Sequence, residues 1–387
     1  MMKLKSLIKD KFDTERGLAL EVAKEVGLKT ATPLYKWLNE NDREMDDLSM
    51  IVKMAKKLFS DKWNSVIKEY FKDLNPNKQS MRSALEYLSV FKDVKTSKEL
   101  LELTKNSDNK DTFDFNFYYS LEHEALGMKS KEVAKIINNR KAKTLEMDVF
   151  SKFILMYAYL RDAKYQSMEE QVEFIAPLID EMKDGYMKRS FTSRLNALKV
   201  SIILNDGDSK QTEQLGLKAL ETNERTPLDV LINMNMGNAY IMYDLSKAMN
   251  YFNKAIELAD YYNDDVKKSM VQHSIDFCKC YWKVDCCPSK INVVGLSSKY
   301  NKIFAHISLG ENEEAMNLIE SIDMKDLDDD LKAFHFFYKG MITRDKDDFY
   351  ESVEYFRNTG DRHYRNLSLI ELKKLGDSER LLKSLSA

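Results

Sequence analysis

The feature that most restricts how this chain can fold is a recurring pair of amphipathic segments with small residues at fixed places. The clearest copy is "LINMNMGNAYIMYDLSKAMNYFNKAIELA". It carries Gly237, Tyr240 three residues later, then Ala248, Phe252 and Ala255. A second copy, "FHFFYKGMITRDKDDFYESVEYFRNTGD", puts Gly340 at the early small position and Ser352, Tyr355 and Phe356 on the following segment. Weaker copies are "FILMYAYLRDAKYQSMEEQVEFI", "RLNALKVSIILNDGDSKQTEQLGLKAL" and "YNKIFAHISLGENEEAMNLIESI". Small residues let two helices pack closely, and a helix pair that cannot bury its apolar face alone must stack on its neighbours. With only 12 Gly and 5 Pro in 387 residues, the chain lacks the turn-formers of a parallel-sheet enzyme. The expected fold is all-α, a superhelical repeat array.

The unit around Gly237 resembles the tetratricopeptide consensus, with its later positions one residue early and hence a short inter-helix turn. Such arrays present a concave surface that binds peptides or proteins. Asn233, Asn235 and Asn238, with Asn196 and Asn205, lie on or end the first helices of two neighbouring units. Asparagine offers both donor and acceptor, which suits an extended peptide backbone, and it is a poor helix former. The alternative is a solvated polar face.

Ahead of the array stands "LALEVAKEVGLKTATPLYKWLNEN". Leu18, Val22 and Val26 mark one helix face, Gly27 stops it, and Leu34, Trp37 and Leu38 mark the core face of a second helix. Thr14 is a possible cap of the first helix; Thr32 as N-cap and Pro33 at N1 open the second. Two short helices around a glycine turn make a helix-turn-helix, here with a turn one residue longer than the tightest version. Residues 1–36 carry eight basic and five acidic side chains, whereas the whole chain has net charge -3. A basic head on an acidic body fits a double-stranded DNA operator. Thr30, Thr32, Tyr35, Lys36 and Asn39 are then expected to face the major groove, and Lys3, Lys5, Lys11, Lys24 and Lys29 the phosphates. Leu48, Ile51, Val52, Ala55 and Leu58 close this head. The expected organisation is a DNA-binding domain over 1–72, a linker over 73–80 ("DLNPNKQS") and the array over 81–387. The alternative for the head is an ordinary helical hairpin.

Enzyme signatures are missing: there is no GxxxxGK[ST], GxGxxG, HExxH or GxSxG, and the five histidines are scattered. "CKCYWKVDCC" does not have the spacing of paired zinc knuckles, so its cysteines read as free thiols. No enzyme activity, cofactor or metal is expected. Without a run of about 18 apolar residues or a signal peptide, the expected location is cytoplasmic, with no membrane contact. The terminal leucines 369, 372 and 375, then 381, 382 and 385, form an apolar stripe that needs a cover, from a second subunit or from the preceding repeat.

Head and array together resemble the arbitrium receptor (AimR) family of Bacillus temperate phages, among the intracellular peptide-pheromone receptors. The stretches that carry the resemblance include "VAKEVGLKTATPLYKWLN", "KRSFTSRLNAL", "MGNAYIMYD", "FYKGMITRDKDDFYESVEYFRNTGDRHY" and "LIELKKLG". The resemblance implies a homodimeric, DNA-binding activator that senses a secreted peptide of about six residues and sets the choice between lysis and lysogeny. It places peptide contacts on Ser201, Asn205, Asn238 and Asp361. Ser201 stands where asparagine is common in the family. Pro227 occupies the place of an expected arginine, with Arg225 nearby. An Asp361 carboxylate suits an arginine of the peptide, since the two pair bidentately. The alternatives are a helix cap at Asp361 and, for the whole chain, a repeat scaffold that binds a protein partner without reading DNA.

Overall fold

The structure is a computed structural model that describes residues 3–40, 42–45, 47–222 and 225–386. Among these the regular elements are helices, and no strand occurs. By contacts the chain divides into two compact units, 1–154 with 178–191, and 155–177 with 192–387. The first unit therefore runs well past residue 72.

The first unit opens with α1 (Lys3–Thr14), α2 (Leu18–Glu25), α3 (Thr32–Asn39), α4 (Leu48–Phe59) and α5 (Trp63–Lys72). Leu4, Ile8, Val22, Leu34, Trp37, Leu38, Ile51 and Ile67 form its core. Between α2 and α3, Gly27 is left-handed at φ 81°, and the Leu28 amide donates to the Ala23 carbonyl at 2.8 Å. This is the helix stop expected of that glycine. The threonine caps do not form as expected. Thr14 ends α1, its hydroxyl turned back onto Asp10 and Lys11, and Gly17 at φ 91° begins α2. Ala31 precedes α3, so Thr32 is already helical and Pro33 falls one place later.

Residues 73–80, expected as a linker, are fastened to the head. Glu44 accepts from the Asn75 amide at 2.8 Å and from the Ser80 hydroxyl, and Lys78 donates to the Asp42 carbonyl at 2.8 Å. The chain then enters α6 (Gln79–Val90), α7 (Val94–Thr104), α8 (Lys110–Glu124) and α9 (Ser130–Asn138). Arg189 also reaches the head, with Nη2 2.8 and 2.7 Å from the two carboxylate oxygens of Asp47, which caps α4. A side chain 142 residues further along the chain thus helps to fix the entry to α4.

Three helices have residues in both units: α10 (Leu145–Arg161), α11 (Tyr165–Glu181) and α12 (Tyr186–Asn205). The second unit continues with α13 (Ser209–Thr222), α14 (Leu228–Tyr240), α15 (Leu245–Tyr262), α16 (Asp265–Trp282), α17 (Leu296–Leu309) and α18 (Asn312–Glu320). It ends with α19 (Asp329–Thr343), α20 (Lys346–Thr359), α21 (Arg362–Lys374) and α22 (Glu379–Ser386). The sequence repeats coincide with the pairs α10/α11, α12/α13, α14/α15, α17/α18 and α19/α20. The two conspicuous glycines are explained by packing. A Cβ on Gly237 would lie 2.5 Å from Phe252, and one on Gly340 would lie 3.0 Å from Phe349. Each glycine lets its helix meet a ring of the partner helix.

Candidate functional site

The face of α3 away from the core is exposed. Thr32, Tyr35, Lys36 and Asn39 lie on it, Thr30 and Lys29 lead into it, and Lys24 is exposed on α2. Lys9 donates to Asn39 Oδ1 at 3.1 Å, and Tyr35 packs edge-on against Phe12. Lys5 corrects the expectation of a phosphate contact. It is fully buried, its ammonium donates to the carbonyls of Glu40 and Arg43 at 2.6 Å each, and it lies 5.1 Å from the centre of the Trp37 ring. A cation here satisfies the open C-terminal end of α3. Its burial lowers its pKa, against the pull of Glu44, Glu40 and Asp42.

The second unit holds a polar cluster in its interior. Asn233, Asn235 and Asn238 are all buried, so they are not a solvated face. Asn233 turns back onto the Asp229 carbonyl at 2.8 Å. Asn235 donates to the Ser201 hydroxyl at 2.7 Å, and Asn205 to the Ser201 carbonyl at 2.9 Å, which joins α14 to α12. The amide oxygen of Asn238 and Nε2 of His363 are both buried with no hydrogen-bond partner, and the His363 ring lies beside the Asn238 main chain. Burial lowers the His363 pKa to about 4, so the ring is neutral.

The start of α21 packs on the end of α12. A Cβ on Gly207 would meet Asn366 at 3.5 Å and His363 at 3.9 Å, and Arg362 pairs with Asp206 at 3.3 Å. These contacts set the end of α12, just after Asn205, against the first turn of α21, which Asp361 opens and whose His363 lies beside Asn238. Asp361 is itself the N-cap of α21, accepting from the Tyr364 amide at 2.8 Å, and is 2% exposed. The capping alternative is therefore realised in the structure. Burial, with help from the nearby Asp330 carboxylate, pushes Asp361 up to about 7. Burial together with Asp328 pushes Asp330 up to about 6. Asp330 opens on a cavity of about 190 Å³ walled by Phe277, Tyr300, Phe334, Tyr338 and Tyr364.

Asn196 is half-buried on α12, and Ser201 is half-buried one turn before Asn205. Arg225 is exposed in the bend ahead of α14, and among the described residues no hydrogen bond or ion pair joins it to the cluster. Sequence reasoning missed Asp330 and Tyr165, whose hydroxyl is held protonated by burial and by Asp361 and Asp330. The one signal available was the acidic start of α19, "DLDDDLKAF", which reads as an ordinary helix opening.

Among the described residues no helix is long and apolar enough to cross a membrane, and no group of metal-binding side chains gathers. Paired helices around a buried polar cluster, preceded in the chain by the short helices α2 and α3 with an exposed outer face on α3, define an all-helical repeat protein. The similarity to known proteins is more specific. The family described as AimR transcriptional regulator-like matches residues 64–374, and the chain belongs to that family. It is 29% identical to the AimR transcriptional regulator of Bacillus phage phi3T over 386 residues, 98% of this chain and 100% of that protein. It is 24% identical to the AimR transcriptional regulator of Bacillus phage SPbeta over 380 residues, 98% of each chain. Its fold matches selenomethionyl phAimR with a TM-score of 0.77 at 27% identity over the whole of both chains. It matches the phAimR–ligand structure with a TM-score of 0.81 at 26% identity, covering 87% of this chain and 100% of that one.

Proposed function

We propose that this chain is a homodimeric transcriptional regulator that binds an operator through α3 and is switched by a short signalling peptide bound in its repeat array. The observation that carries the peptide reading is the buried, unpartnered amide oxygen of Asn238. A buried acceptor without a donor costs about 1–3 kcal/mol, a cost that a peptide N–H would relieve. Asn205, Ser201 and Asn235 supply further donors and acceptors nearby. Asp361, with Asp330, supplies the negative charge that an arginine side chain would need. A solved phAimR structure contains a ligand, which supports a ligand site in the same fold.

The DNA reading rests on the exposed Thr32, Tyr35, Lys36 and Asn39 face, with Lys24, Lys29 and Thr30 beside it. Family resemblance adds the consequence: peptide binding turns off operator binding and moves the decision from lysis toward lysogeny. The test uses a synthetic arginine-bearing hexapeptide, the peptide class that the family resemblance implies. Calorimetry should give a 1:1 complex per subunit, and gel shifts should lose the operator complex as that peptide is added. A peptide that binds but leaves DNA binding and promoter output unchanged would overturn the switch.

A further inference from the structure

The other feature of the second unit that the proposed function leaves unused is its thiols. Cys280 lies in the last turns of α16. Lys283 and Asp285 just after it are both left-handed, at φ 55° and 48°, and reverse the chain. The reversal lays Cys286 back on the helix, with its sulfur 3.1 Å from that of Cys280. The main-chain oxygens of Asn301 and Ala305 on α17 back the two sulfurs, at 4.0 and 3.7 Å. Cys280 is 2% exposed, while Cys286 is half-buried. Both line a cleft of about 490 Å³, together with Gln272, Asp276, Lys279 and Cys287. Cys278, by contrast, is sealed in the core.

Two sulfurs in contact at one cleft, one almost fully buried and one half-exposed, are the arrangement of a resolving thiol and an attacking thiol. We propose that Cys280 and Cys286 are a redox-active dithiol, which a hydroperoxide entering the cleft converts to an intrachain disulfide. Cys286, as thiolate, attacks the terminal oxygen of hydrogen peroxide. The S–O bond forms and the O–O bond breaks. The leaving hydroxide takes a proton from solvent and departs as water, leaving Cys286 as a sulfenic acid. Cys280 then attacks the Cys286 sulfur. The S–S bond forms, the S–O bond breaks, and the released hydroxide takes the Cys280 proton as a second water. Two thiols are oxidised by two electrons and one peroxide is reduced to two waters.

Burial pushes the Cys280 thiol far up, so it stays protonated and does not compete with Cys286 for the first attack on the oxidant. Cys287 borders the same cleft. The Ser289 hydroxyl, 3.2 Å away, holds its thiol below the ordinary value, so Cys287 competes for oxidant.

The test uses the full-length protein treated with hydrogen peroxide, quenched with an alkylating agent, cut with trypsin and read by mass spectrometry. Cleavage after Lys279, Lys283 and Lys290 separates Cys280 from Cys286, so the cross-link appears as peptide 280–283 joined to peptide 284–290. The expected result is that joined pair, a fall in free thiols from four to two, and reversal by dithiothreitol. The Cys287→Ser variant should give the same cross-link. In Cys280→Ser, dimedone should trap the sulfenic acid on Cys286. The proposal is overturned if the wild type keeps four thiols, or if the cross-link disappears in Cys287→Ser. It is overturned equally if dimedone labels only Cys287.

Discussion

The ammonium of Lys5 donates to the main-chain oxygen of Glu40 at 2.6 Å, so a residue of the first helix closes the C-terminal end of α3. Lys5→Met keeps most of the stem but removes the donor and leaves two carbonyls, Glu40 and Arg43, without it. The expected loss is about 2 kcal/mol of stability, seen in urea unfolding. A lysine that met phosphate would instead change the salt dependence of DNA binding. Where the head of Lys5→Met is folded, that dependence should match the wild type.

Lys36 and Asn39 are exposed on α3, away from the buried Leu34 and Trp37. Lys36→Ala and Asn39→Ala should each weaken operator binding while melting temperature and peptide affinity stay as in the wild type. Lys36→Ala should also flatten the slope of log affinity against log salt by about one, the share of one phosphate contact. Gel shifts showing unchanged affinity for both variants would remove α3 as the reading helix.

The contrast between Lys5 and Lys36 shows what sequence makes visible. Helix pairs and their glycines were legible, because a missing side chain at Gly237 or Gly340 has a local cause: a ring on the very next helix. The outward face of α3 was legible too, because helical period separates it from Leu34 and Trp37. Lys5 was not, since a lysine among charged neighbours reads as solvated until α3 is docked on α1. Asp330 was hidden for the same reason. Its environment is made by Phe277, Tyr300 and Tyr364, which come from three other helices. Asn238 and Asp361 were legible as residue types, but what joins them is His363, a contact between α14 and α21 that no local pattern announces.

A Cβ at position 237 would fall 2.5 Å from Phe252 Cε1, inside contact distance. Alanine is the better helix former by about 1 kcal/mol, so the sign of Gly237→Ala depends on which effect wins. Overpacking a fitted site costs about 1–3 kcal/mol, and the opposing group is an enclosed ring, so destabilisation should win. Gly340→Ala meets Phe349 at 3.0 Å and should lose less. Thermal melts of the two variants check the order.

α22 leaves its apolar side open: Leu381 is 39% exposed and Leu382 and Leu385 are only half-buried. Its far end is held by Arg365, which donates to the Ser386 carbonyl, and by Arg357, which donates to the Ser384 carbonyl at 3.2 Å. A helix pinned at one end with an uncovered leucine stripe fits a surface completed by a second subunit. Deleting residues 377–387 should give monomers by light scattering. A truncated protein that stays dimeric would place the interface elsewhere.

Asp361 separates cap from ligand group through its protonation. Its folded pKa is raised from 3.8 to about 7, first by burial and then by Asp330. In the unfolded chain the carboxyl ionises near pH 4, whereas in the fold it keeps its proton until about 7. The stability this contributes is therefore full below pH 4 and is lost as pH rises to about 7, with no further change above. A bound arginine reverses the preference, because it pairs only with the carboxylate. Peptide affinity should then fall as pH drops below about 7, and binding at pH 6 should release protons. His363 stays neutral across this range, with its pKa near 4, and does not mask the effect. Asp361→Ala should lose about 1 kcal/mol of stability as a missing cap. It should also lose more than tenfold in affinity for an arginine-bearing peptide, and the pH dependence of binding should flatten. Calorimetry in two buffers of different ionisation enthalpy measures affinity and proton release together. Wild-type affinity in Asp361→Ala, with the proton release intact, would leave Asp361 as a helix cap and move the cation site to Asp330.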